Sequence, residues 1–490
     1  MNKLFFPHKI LNRLKTSHLI LIVSTAAVVI SIFIFHDFIK VGYIFHDFDF
    51  FRDNAFLGYL NPKTGNRWQP EFTFFAYFFL KYFGLNPFWP KVFIFMLYLA
   101  NFSLFFWLLL SLTRKKSLAF LAALAAIFFC RSASLVFVYD VGIIYVLFTT
   151  IFLLSLIFYN HYLSSKKTIY YLLALIIYPA MILTQEAGVV FPIVLLSMEY
   201  FFIQQFKLKQ TILRVLPFFL ISLSYVLILF SIKAGATDNL LLQKFDYHFV
   251  DMTELIKNIV KLIIGFSPLN IDYKLNMTDY YLISTTTILA SLSFIIFSKN
   301  KLLKFFLVIP WLLALPYACF AVYGVQERYI YVGGLFSIAF LIFALWEILQ
   351  KQLATKILFA IIIFIFIFWN LQSLEYRVGN WEKGAKIMSQ LKNGLLTKYP
   401  DLPSHPGPVY ISNVPNFVND DSQVSLGNPG NFIHYIYGQS SPRLIYCFQD
   451  IKEVKNSYKL FAQENQDTIA PKPLGLNFTE NGLEEINFAN

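Results

Sequence analysis

A succession of apolar runs, each close to the length needed to cross a bilayer, constrains this chain more than any other feature. A helix rises about 1.5 Å per residue, so roughly 20 apolar residues cover a hydrocarbon core ~30 Å thick. Windows of that kind fall at 18–36, 88–112, 118–132, 141–160, 169–184, 187–203, 212–232, 280–298, 304–323, 329–349 and 357–373. The third is short, as are the fifth and sixth, which only the polar pair Gln185-Glu186 separates. Of the 490 residues 57% are hydrophobic, 57 of them Phe, and 14% are charged. No soluble fold hides that much apolar surface behind so little charge. The sequence therefore predicts an all-α polytopic membrane protein with about 11 transmembrane helices.

Positive charge orients the spans. Lys3, Lys9, Arg13 and Lys15 precede the first run, which is long for a cleaved signal and reads as an uncleaved signal anchor. With the N-terminus in the cytoplasm, the inner connections carry Arg114-Lys115-Lys116, Lys166-Lys167, Lys207 with Lys209, Lys299 with Lys301 and Lys304, and Lys351 with Lys356. The short outer turns hold only Arg131 and Arg328 as cations. Cytoplasmic loops are enriched in Lys and Arg, so the C-terminus is expected outside. The net charge of +12 follows from these clusters and points to no nucleic acid partner. Cys130, Cys319 and Cys447 have neither disulfide nor zinc spacing.

Two long outer loops interrupt the pattern, at 37–87 and 233–279. Within the first, Glu71 to Phe83 is an aromatic run too short to span, and reads as a helix lying in the interface. Within the second, Leu255, Ile259, Leu262, Ile263 and Phe266 recur at helical spacing among Lys257 and Lys261, which predicts another interfacial helix over 252–266. Composition shifts near Leu374 toward Pro, Asn, Asp and Gly. Residues 1–374 are thus expected to form a transmembrane domain and 375–490 a small extracytoplasmic α/β cap. The cap should hold a helix over 381–399 and strands at 409–411 and 443–448.

The outer face gathers the unusual chemistry. Asp47, Asp49 and Asp53 fall within seven positions, interleaved with aromatics, directly after the first span. Each later outer turn delivers a charged or polar residue at membrane level: Arg131 and Asp140, then Gln185-Glu186, then Glu327-Arg328-Tyr329. A carboxylate at such depth is costly unless it is paired or faces a watery cavity. Each also has a plainer reading. Asp140 can cap the helix that follows it, and Glu327 with Arg328 can form one solvated pair. Glu186 is harder to explain that way, since a two-residue turn needs no acid. Taken together these groups suit a reaction on a lipid-linked phosphate. Arginine offers a permanently charged planar donor set for phosphate, and a carboxylate can deprotonate an acceptor hydroxyl. Sugar transfer passes through an oxocarbenium-like centre, so it needs a base near the attacking oxygen and positive charge near the leaving phosphate. A divalent cation, Mg2+ or Mn2+, could share the second role through Asp47 and Asp49.

The order of motifs resembles that of the GT-C superfamily of multi-pass membrane glycosyltransferases. An acidic first outer loop is followed by Arg67-Trp68-Gln69-Pro70 and by Phe83-Gly84-Leu85-Asn86-Pro87-Phe88. Leu183-Thr184-Gln185-Glu186 before Pro192, Trp311 with Pro316, and Glu327-Arg328-Tyr329-Ile330-Tyr331 continue the likeness over residues 18–375. The groups most similar in feel are bacterial relatives of the protein O-mannosyltransferases. The resemblance implies a multi-pass protein of a bacterial plasma membrane, a polyprenyl-phosphate sugar donor and an inverting direct displacement. It also implies a catalytic acid in the first outer loop, here Asp47 with Asp49 as its rival. Arg328 and Arg131 would hold the donor phosphate, and Asp140, Glu186, Glu327 and Tyr329 would line the substrate pocket. The acceptor (protein, lipid or polysaccharide) stays open. Two positions depart from the pattern: the acidic pair is spread as Asp47-Phe48-Asp49, and a basic residue often found before the second acid is Gln185 here. The alternative from another class is a transporter or flippase of lipid-linked saccharides, which would need ionisable residues along a path through the membrane.

Overall fold

Inside a bilayer every backbone N–H and C=O has to pair within the chain, so apolar runs are expected to fold as helices. The computed structural model of the protein describes residues 70–83, 88–129, 142–203, 206–234, 251–266, 277–320 and 327–415. It also describes the shorter segments 417–418, 422–423, 432–433, 436–437, 445–447, 451–464, 473–479 and 482–486, with Thr25 and Val29. In chain order the helices are α1 (Pro70–Phe83), α2 (Phe88–Thr113), α3 (Lys116–Ile127), α4 (Gly142–Ser165), α5 (Thr168–Thr184), α6 (Phe191–Phe202) and α7 (Leu208–Ala234). They continue with α8 (Met252–Phe266), α9 (Met277–Phe297), α10 (Lys301–Phe320), α11 (Tyr331–Leu349), α12 (Leu353–Lys398) and α13 (Ile451–Glu464). Single 3-10 turns stand at Glu186–Val190, Glu327–Ile330 and Leu402–Ser404.

Each expected span that falls on described residues is a helix. Among those residues six helices are long and apolar enough to cross a membrane: α2, α4, α7, α10, α11 and α12. Shorter apolar helical stretches lie in α3, α5 and α9. The first expected span, 18–36, lies outside the described residues apart from Thr25 and Val29.

Short connections fold the helices back on one another. Two residues join α2 to α3 and α4 to α5, and in each pair the first, Arg114 at φ 56° or Lys166 at φ 60°, adopts the left-handed conformation. Their N–H groups close the preceding helices onto Leu110 and Tyr162 at 2.9 and 2.8 Å. Such a residue just past a helix end satisfies an orphan carbonyl and turns the chain sharply. Arg114 to Lys116, Lys166 to Lys167, and the turns before α10 and α12 therefore share one end of the bundle. The 3-10 turns at 186–190 and 327–330 share the other. The centre is aromatic: Phe336 on α11 meets Phe105 of α2 at 5.6 Å and Phe152 of α4 at 6.1 Å, both edge to face. That geometry sets the positive ring edge on the negative face. Gly334, two residues earlier on α11, permits close approach, since a Cβ there would sit 2.7 Å from the Phe129 ring.

The helix expected over 381–399 is not separate from the span expected at 357–373. Both belong to α12, which is 46 residues long and runs through the composition change near Leu374 without a break. Its buried residues Leu374, Val378, Trp381, Met388, Leu391 and Leu395 keep helical spacing to the end. Composition there reports a change of surroundings, while the i to i−4 hydrogen bonds continue. Because three residues turn α11 into α12, the far end of α12 emerges on the side of the two 3-10 turns at 186–190 and 327–330.

Beyond α12 lies a small sheet. Strands β1 (Val409–Ser412), β2 (Phe417–Val418), β3 (Ser422–Gln423), β4 (Ile445–Cys447), β5 (Leu474–Thr479) and β6 (Gly482–Glu485) form a hairpin of β2 with β3 and a four-stranded sheet ordered β4-β1-β5-β6. The buried central strand β1 is parallel to both neighbours, and β6 returns antiparallel on β5. Helix α13 connects β4 to β5 and sets Val454 against Tyr410 and Ile486. This is α/β architecture, with strands where two were expected. The sheet is fastened to α12 where Lys398 donates from Nζ to the Leu483 carbonyl at 2.6 Å.

Candidate functional site

The end of the bundle opposite the basic turns is built from two polar turns and the tyrosines between them. Helix α5 ends at Thr184 because Gln185 turns extended, at φ −153° and ψ 128°, while its N–H still bonds the Met181 carbonyl at 3.1 Å. The chain then makes the 3-10 turn Glu186–Val190 and enters α6 with Pro192 in its first turn, where a missing N–H costs nothing. Gly188 is required here. A Cβ at that position would lie 3.1–3.2 Å from backbone atoms of Met181 and Ile182, which cannot move aside as a side-chain tip could. Tyr178 donates to the Gly188 carbonyl at 3.1 Å and pairs closely with Ser222, which in turn reaches the Val189 carbonyl at 3.2 Å. The turn that carries Glu186 is thus held by α5 beneath it and α7 beside it.

The second turn, Glu327–Ile330, leads into α11. Tyr317, in the last turn of α10, connects the two. Its ring stacks on Tyr329 with centroids 4.4 Å apart and planes within 6°. Its hydroxyl accepts a hydrogen bond from Gln185 Nε2 at 3.1 Å. Pro316 immediately before it lacks the N–H that would bond the carbonyl four residues back, and α10 continues past it to Phe320. Tyr145 of α4 closes on the other side, 6.0 Å from Tyr329. Gln185 is buried, whereas Glu186, Tyr317 and Tyr329 are half-buried.

A polar seam runs inward from the same place. Asn101 of α2 donates to the Val146 carbonyl at 2.9 Å and accepts from Thr150 at 2.7 Å. Tyr98 stacks near Tyr331 at 6.0 Å. The Tyr331 hydroxyl is buried beside Asn101 without a well-formed hydrogen bond. Helix α8 covers one flank. The apolar stripe expected to meet lipid packs instead on protein: Leu262, with Leu255 and Ile259, contacts Ala314, Ala318 and Ile330, and Asn258 donates to the Ala318 carbonyl at 3.2 Å. Burying that stripe against α10 and the second turn satisfies its apolar side without a bilayer.

Of the expected site residues, the structure brings Glu186 to the same end as the Glu327–Ile330 turn, which includes Arg328 and Tyr329. Asp47, Asp49, Arg131 and Asp140 lie outside the described residues. The possible metal site at Asp47 and Asp49 lies outside them too, and among the described residues no three His, Cys, Asp or Glu side chains gather. Sequence reasoning missed Tyr317, Tyr145 and Tyr178. The available signal was slight, a polar-tipped aromatic at the outer end of an apolar run, which composition alone does not separate from core.

At the basic end a second polar cluster is closed. Glu199 of α6 is fully buried. Its carboxylate accepts from Tyr159 at 2.5 Å, Thr211 at 2.5 Å and Arg214 Nε at 2.9 Å, and pairs closely with Arg214 Nη2. Tyr171 donates to the Arg214 carbonyl at 2.9 Å. No family model matches the chain, and no curated protein matches it significantly.

Proposed function

We propose that the chain is a GT-C-type glycosyltransferase that moves a sugar from a polyprenyl phosphate to an acceptor at the outer face of the membrane, with inversion. In this reading Asp47 is the general base, with Asp49 as its alternative or as a metal ligand. Arg328 and Arg131 neutralise the donor phosphate, and Asp140, Glu186, Glu327 and Tyr329 shape the sugar and acceptor pocket. The observation that carries the proposal is the meeting of the Glu186 turn with the Glu327–Ile330 turn through Tyr317. Acids and an arginine distant in sequence thereby share one end of a membrane bundle, away from its basic turns. Helix α1 supports it. Phe75 and Phe79 pack on Phe93 of α2, while Phe74, Tyr77, Phe78 and Tyr82 are exposed, an aromatic surface fitted to an isoprenoid chain. The cap would face the acceptor.

The alternative, a carrier of lipid-linked saccharides, needs ionisable groups that change partners along a path. Glu199 is the fully buried carboxylate among the described residues, and four donor contacts saturate it. Such a group holds helices together and is not free to bind cargo.

The test is transfer from a panel of radiolabelled polyprenyl-phosphate sugars by membranes carrying the wild type or Asp47→Asn. The wild type is expected to use at least one donor, and loss of the base to slow transfer by about 10²–10⁴-fold. Wild-type membranes that are inert toward every donor but move lipid across vesicles would replace this reading with the carrier.

A further inference from the structure

Tyr317 stands on α10, away in sequence from both polar turns, yet it touches each of them at the residue next to the charged one. Gln185, which donates to its hydroxyl, is followed directly by Glu186. Tyr329, on which its ring lies, is preceded directly by Arg328. The two contacts use different parts of the side chain, one the oxygen and the other the ring face. We infer that Tyr317 is a positioning residue: a clamp that fixes the spacing between the Glu186 and Arg328 backbone positions without itself touching the reacting atoms.

Three features make the clamp stiff. The Gln185 amide is buried, so its hydrogen bond to Tyr317 is made away from bulk water, where losing it is costly. The turn that carries Gln185 cannot drift, because Gly188 lies against the backbone of α5 and Tyr178 and Ser222 hold its carbonyls. The stacked pair is flanked by Tyr145, and Ile330 next to it is buried under α8. The same arrangement accounts for a glutamine where the GT-C likeness leads one to expect a basic residue. In this chain the position serves the clamp, and contact with the donor phosphate falls to Arg328 and Arg131.

The kinetic consequence rests on the transferase reading, while the coupling between the residues does not, so two measurements separate them. The first is a double-mutant cycle on thermal unfolding of the detergent-purified protein, with Gln185→Leu and Tyr317→Phe. The clamp predicts that Tyr317→Phe lowers Tm in the wild-type background and adds little once Gln185→Leu is present; full additivity overturns it. The second is transfer kinetics with whichever polyprenyl-phosphate sugar the wild type uses. Tyr317→Leu, which loses ring and hydroxyl, is expected to lower kcat by about 10²-fold, the size that a ~1 Å misplacement gives. Tyr317→Phe, which keeps the ring, should lower kcat less, and donor KM should stay within about twofold for both. A rise in KM at unchanged kcat would mean that Tyr317 binds the donor directly, and would overturn the positioning role. If the wild type transfers nothing, the cycle alone decides the clamp.

Discussion

Gly188 shows how narrow the tolerances are at single positions near the candidate site. A Cβ there would meet the backbone of α5 at 3.1–3.2 Å, and backbone is the neighbour least able to yield. Gly188→Ala should therefore destabilise the protein by roughly 1–3 kcal/mol, the usual cost of forcing one extra carbon into a packed interior. The drop is read as a lower Tm in detergent, and an unchanged Tm would mean that the turn can lift away from α5. The effect should also reach Glu186, two residues upstream in the same turn. At this scale the sequence was legible where charge was scarce. Glu186 and Arg328 stand out because charged residues are few. Tyr317 did not stand out, because the chain has 29 tyrosines and 57 phenylalanines and nothing local separates this one from the rest. What sets it apart is a partner 132 residues away, and no local pattern encodes that separation.

Among the elements, α4, α6 and α7 are joined by the buried Glu199 with Tyr159, Thr211 and Arg214. A buried ion pair adds little net stability, but breaking it leaves an uncompensated charge. Arg214→Met should cost roughly 3 kcal/mol, the low end of the usual range, because the Arg214 side chain keeps 27% of its surface exposed. The double change Glu199→Leu with Arg214→Leu should cost less than Arg214→Met alone. Equilibrium or thermal unfolding of the two variants beside the wild type checks the order, and a double variant less stable than the single one would contradict it. Element positions were largely readable, since an apolar run of fixed length leaves the backbone few choices besides a helix. The split at Gln185-Glu186 was readable for the same reason: two polar residues interrupt an apolar run and end α5. The continuity of α12 was not readable. Hydropathy falls at Leu374, but a helix needs only its own hydrogen bonds and a buried stripe, and both persist to Lys398. Nor was the partner of α8 visible, because an amphipathic stripe looks the same whether lipid or protein covers it.

For the whole molecule, alternation of helices puts the Glu186 turn, the Glu327–Ile330 turn and the exit of α12 on one side, and the lysine-rich turns on the other. The proposed reaction depends on that separation. A phosphate headgroup would sit among the two polar turns and the first loop, with its isoprenoid tail along α1. The most direct measurement is photo-cross-linking with a polyprenyl-phosphate analogue that carries a diazirine beside the phosphate, followed by peptide mapping. The account predicts adducts at residues 184–190, at 327–331 and in the first loop around Asp47. Adducts confined to the basic turns at 114–116, 166–167 and 299–304 would contradict it.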